Sequence, residues 1–120
     1  MKNPRVFAVQ VPARRDGPRG GWIEKYDISA AESFGRLVRV LPYGNVPNDP
    51  EPTRTRLNEA FFGDPARSFD YDTDLVLLLG DPVAIAQAVS VLEARRPAGK
   101  AIRVLKWDRR GEEYRPYSVG

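Results

Sequence analysis

The chain opens on a strand pattern, with Val6 to Val11 built from β-branched and aromatic residues in alternation. Asp16-Gly17-Pro18 and the pair Gly20-Gly21 force a turn, and Trp22 to Asp27 reads as a returning strand. A first hairpin with a basic tip is therefore predicted. Ser29-Ala30-Ala31-Glu32 has the spacing of a capping box, so a short helix should start at Ser29 and stop at Gly35. Leu37 to Leu41 follows as a strand ended by Pro42, and residues 42–52 carry four prolines and form an irregular connection. Thr53 to Phe62 reads as a helix closed by Gly63 and Asp64-Pro65.

Leu75 to Leu79 is a continuous apolar run, the pattern of a strand buried on both faces at the centre of a parallel sheet. Asp81 stands at an N-cap position with Pro82 as the first helical residue, and the helix runs to about Arg96, stopped by Pro97 and Gly99. The last elements form a hairpin, Ala101 to Trp107 against Glu113 to Val119, around the type I turn Asp108-Arg109-Arg110-Gly111. Pro116 places the final strand at a sheet edge. The order ββαβαβαββ predicts a single α/β domain over residues 1–120. It should be a small two- or three-layer sandwich whose mixed sheet has a parallel centre and antiparallel margins.

Composition narrows the chemistry. The 120 residues include no cysteine and no histidine, which removes disulfides, thiolate nucleophiles, Ser-His and Cys-His arrangements and the commonest transition-metal ligand. Zinc would need carboxylates alone, which structural sites hardly ever use, so we expect neither a metal site nor a cofactor. No apolar stretch approaches 18 residues and no apolar h-region precedes a small-residue cleavage site, so a cytoplasmic protein without a membrane span is expected. Arginine outnumbers lysine 15 to 4, a skew that fits a GC-rich bacterial genome or a phage or plasmid living in one.

The net charge of +3 hides an asymmetry: residues 1–20 carry five basic and one acidic side chain, residues 94–120 eight and three, and residues 46–74 three and seven. If the basic ends meet, they present one positive face.

Four constellations stand out. Asp70, Asp72 and Asp74 alternate, which on an extended segment puts three carboxylates on one side. Their spacing fits no EF-hand, however, and a solvated acidic loop is the simpler account. Tyr43-Gly44-Asn45 and Gly80-Asp81 lie beyond the carboxyl ends of two strands, where open α/β sheets form ligand crevices; neither glycine-rich phosphate motif is present. Arg103, Lys106, Trp107, Arg109, Arg110, Tyr114, Arg115 and Tyr117 interleave cations with flat rings on the last hairpin, a pattern that tracks phosphates and stacks bases. Cross-strand ring pairing is the structural alternative.

In the helix from Pro82 to Arg96 the only polar interior residues, Gln87, Ser90 and Glu93, fall within about 120° of arc. Cover from neighbouring helices or loops explains such a broad apolar face. A homodimer contact through Ala84, Ala88 and Val91 is the sharper alternative. These features point to a non-enzymatic accessory binding module whose partners are a protein, itself included, or nucleic acid. The alternative is a small nucleotide- or cation-dependent enzyme at the crevice, for which no catalytic residue can be assigned.

Overall fold

In the computed structural model, which describes residues 3–120, the most apolar segments take the middle of the sheet. Strand β1 (Arg5–Ala8) has both faces buried, and it is flanked by two parallel neighbours, β4 (Arg36–Arg39) and β5 (Leu75–Leu77). Pairing continues past its end, because Gln10 N donates to the Leu79 carbonyl at 3.1 Å and Leu41 N to the Val9 carbonyl at 3.0 Å. Next to β5 lies β6 (Ile102–Asp108), also parallel, and β7 (Glu113–Val119) closes the row antiparallel to it. The order across the sheet is β4-β1-β5-β6-β7.

The mixed α/β sheet with a parallel centre is thus as expected, but only the β7 margin of this sheet is antiparallel. The other antiparallel pair, β2 (Ala13–Arg15) with β3 (Trp22–Glu24), stands apart as a two-stranded ribbon. The first hairpin therefore needs correction: the returning strand pairs with residues beyond Pro12, not with Val6 to Val11. Both edges of β1 are already taken by β4 and β5, which leaves it no free ladder.

The two helices, α1 (Pro50–Phe62) and α2 (Pro82–Ala94), pack on each other and on one face of the sheet, against Phe7, Val76, Ile102 and Val104. Each buries one row of side chains at helical spacing: Thr53, Leu57 and Phe61 in α1, and Ala84, Ala88 and Leu92 in α2. Phe7, Phe61 and Phe69 meet at centroid separations of 5.2–5.5 Å. Helix α1 starts at Pro50, capped by Asp49, earlier than Thr53, because that aspartate accepts from Glu51 N and proline suits the first turn.

The opposite face, with Val6, Ala8, Leu75, Leu77 and Leu105, is covered more thinly by Ile28, Ala31 and Phe34. The expected first helix is a 3-10 segment, Ser29–Phe34. Its capping box does not form, and Ser29 N donates instead to Asp27 Oδ1 at 2.9 Å.

Candidate binding surfaces at the carboxyl end of the sheet

Because β4, β1, β5 and β6 all run the same way, their carboxyl ends lie at one end of the sheet. Everything that follows each strand emerges there: the β2–β3 ribbon, the Pro42–Asn45 segment, Gly80-Asp81 and the turn between β6 and β7.

A cleft of about 630 Å³ opens among these segments, lined in part by Gln10, Trp22, Lys25, Gly44, Asn45, Asn48, Gly80 and Asp81. The crevice read from the sequence is present, with Gly44, Asn45, Gly80 and Asp81 in its wall. Tyr43 is not. Its hydroxyl donates to Glu24 Oε2 at 2.7 Å, and its ring lies 6.0 Å from that of Trp22. Arg39 grips the same carboxylate through Nε at 2.7 Å and Nη2 at 2.9 Å. The Arg39 hydrogen bond holds the Glu24 carboxyl below its usual range, while the bond to Glu24 pushes the Tyr43 phenol up. This network fastens the ribbon to the β4 edge.

Gln10 is the residue that the sequence reading missed. It is 7% exposed, and its Nε2 donates to the carbonyls of Pro42 at 3.3 Å and Gly44 at 2.8 Å, while Oε1 accepts from Asp81 N at 3.4 Å. One side chain thus joins the loops after β1, β4 and β5. Its signal was an amide inside an otherwise apolar strand segment, at the point where the strand leaves the sheet. Asp81 caps α2 as expected, with Oδ1 accepting from Val83 N at 2.8 Å and Ala84 N at 3.3 Å.

The β6–β7 hairpin outruns its neighbour. The last β5–β6 pair is Leu77 with Leu105, yet β6 stays paired with β7 as far as Asp108. Residues directly opposite share a face. Lys106 lies across from Arg115, and Trp107 across from Tyr114, so that cation pair lies on the side opposite the two paired rings, while Arg103 falls on the side of Trp107.

Arg115 is held by Asp108 at 2.7 Å and Glu113 at 3.1 Å, and Arg103 donates to the Asp72 carbonyl at 3.2 Å. Trp107 meets Tyr114 edge to face at 5.0 Å, and burial raises the Tyr114 phenol above its ordinary value. Lys106, Arg109 and Arg110 are left exposed, with no acidic partner among the described residues. The structure does not gather the candidate hairpin residues into one surface. It leaves a cationic tip.

The other constellations make contacts within the chain. Asp74, 1% exposed, accepts from Arg5 N at 2.9 Å, Arg5 Nη2 at 2.8 Å and Asp70 N at 2.9 Å, clamping the start of β1 to the start of β5. Asp72 pairs with Lys100 at 2.7 Å. Residues 71–73 form a turn rather than an extended run, so the three carboxylates do not share one side. Among the described residues no acidic group converges in a way that holds a metal. Ala84, Ala88 and Val91 are buried inside the chain, covered by α1 and the sheet, and so are not open to a second subunit. No described helix is long and apolar enough to cross a membrane.

Residues 4–120 match a family model described as phage Pam3 gp32-like protein. No curated protein and no solved structure gives a match.

Proposed function

From a chain that belongs to the phage Pam3 gp32-like family, and is therefore a small phage-related protein, we infer a non-catalytic accessory module that binds nucleic acid at the carboxyl end of its sheet. One observation carries this reading: two arginine-bearing turns leave the same end of the sheet, at opposite margins. The ribbon holds Arg14, Arg15 and Arg19, and the hairpin tip holds Arg109 and Arg110. Four strand spacings of about 4.8 Å separate the margins, roughly 19 Å. That is the reach of about six nucleotides at ~3.4 Å each. A strand running across the carboxyl end of the sheet would reach both turns.

Titration of single-stranded and duplex oligonucleotides at about 50 mM salt, where counterion release acts most strongly, tests the proposal. Binding should appear, and Arg109→Ala with Arg110→Ala should weaken it and flatten the salt slope by about one to two units without unfolding the domain. If the wild-type protein retains neither form at that salt, the reading is wrong and a protein partner takes its place.

A further inference from the structure

We propose that the cleft beside the ribbon is a site for a single nucleotide, with the base against Trp22 and the phosphate at Lys25. This goes beyond the contacts of the arginine tips, which are blind to the individual nucleotide.

The location is the first reason. In the order β4-β1-β5-β6-β7 the chain passes from β1 to one side and later returns on the other, so beyond the point where Gln10 joins them the connections after β1 and β5 go on to opposite faces of the sheet. Ligands of open α/β sheets settle outside the carboxyl ends at such a point. The second reason is size: about 630 Å³ lies well inside the usual range for small-molecule pockets. The third is rigidity. The back wall is fixed by Gln10, and Trp22 is held in place by the Arg15 guanidinium 4.5 Å from its ring and by Tyr43.

The polar groups sort by role. Asp81 Oδ1 already occupies the first amides of α2, so that helix end does not receive the phosphate. Among the described residues Lys25 is the only cation in the lining, and it makes no ion pair there. The side-chain amides of Asn45 and Asn48 carry both donors and acceptors, which suits a base edge. Trp22, 37% exposed, keeps part of its ring uncovered by Arg15 and Tyr43, and that part is where a base would stack.

The chain has two tryptophans, so Trp107→Phe leaves Trp22 as the only indole reporter. In that background, adenosine 5′-monophosphate should quench emission saturably with a Kd below about 1 mM. Adenosine should bind about tenfold more weakly, and inorganic phosphate should cause no quenching. Lys25→Ala should bring the monophosphate down to the affinity of adenosine, and Asn45→Ala should weaken both. These exposed substitutions keep the fold, which circular dichroism checks.

The idea is overturned if none of the four common ribonucleoside monophosphates changes the emission up to about 5 mM. It is equally overturned if quenching survives Lys25→Ala and Asn45→Ala unaltered. The source of the nucleotide is read from one more arm: an oligonucleotide that quenches Trp22 and is displaced by the monophosphate marks a strand nucleotide, and monophosphate binding without that effect marks a free one. Strand retention with a silent Trp22 would leave the arginine tips standing and remove the cleft.

Discussion

Gly80 shows how closely the loops at the carboxyl end are drawn together. Its φ is +109°, and a Cβ placed there would stand 2.5 Å from the Gln10 carbonyl oxygen and 2.7 Å from Gln10 Cβ. Backbone and side chain of the same residue would both be struck, so no rotamer change gives relief. The left-handed strain adds about 1–3 kcal/mol, and the displaced Gln10 would leave the carbonyls of Pro42 and Gly44 without their donor at about 1–3 kcal/mol. Gly80→Ala should therefore cost roughly 3 kcal/mol or more in urea unfolding and should empty the cleft of any ligand. A loss under about 1 kcal/mol would mean that the three loops are not joined through Gln10. Gly44, also at positive φ, is less constrained, since a Cβ there meets only the rim of the Trp22 ring at 3.6 Å.

Helix α2 is the element whose fate depends most on its surroundings. Its start is capped by Asp81, and its end is closed by the Tyr71 hydroxyl, which donates to the Leu92 carbonyl at 2.6 Å. Burial pushes the Tyr71 phenol above its ordinary value of 10.0. The unfolded chain, lacking that burial, ionises first as pH rises past about 10; stability is intact below that point and is lost progressively above it. Tyr71→Phe should flatten the alkaline limb of a stability–pH curve, and an unchanged limb would place the loss on Tyr43 or Tyr114, whose phenols are also raised.

This helix, β1, β5 and the last hairpin were legible because long apolar periods and strong caps agree there. The misread elements are those with little apolar pattern of their own. Ser29 and Glu32 had the right spacing for a cap, yet Asp27 reached the free amide first. The partner of Trp22–Glu24 depended on β1 being fully paired, which no local signal records. The crevice was legible from where its loops leave their strands. Trp22 and Lys25 joined it only through the ribbon's fold.

At the scale of the whole molecule, the question is where apolar surface remains for assembly. The sequence left two accounts of the broad apolar arc of α2, and the fold supplies the cover itself: α1 lies across Ala88 and Leu92, and the sheet lies beneath. Of the large apolar side chains on α2 only Val83 is well exposed. The other exposed ones are split between the ribbon and the residues after it (Trp22, Ile23, Tyr26) and the hairpin, where Trp107 stands near the turn and Tyr117 and Val119 lie toward the far end of β7. Neither group makes the broad continuous patch that a stable homodimer buries, about 800 Å² on each partner. The excess of positive charge, +3 overall, also opposes bringing two copies tip to tip.

The protein should therefore sediment as a single 13.5 kDa species at equilibrium, even near 100 μM, a concentration at which an interface of about 5–6 kcal/mol would already populate dimer. A mass rising toward twice that value with concentration would overturn this. In that case the open edge of β7, with Tyr117 and Val119 uncovered, would be the surface to probe with Val119→Lys, because charge on an edge strand blocks strand-to-strand pairing. A dimer abolished by that change would continue the sheet through β7, and it would still leave α2 occupied by its own chain.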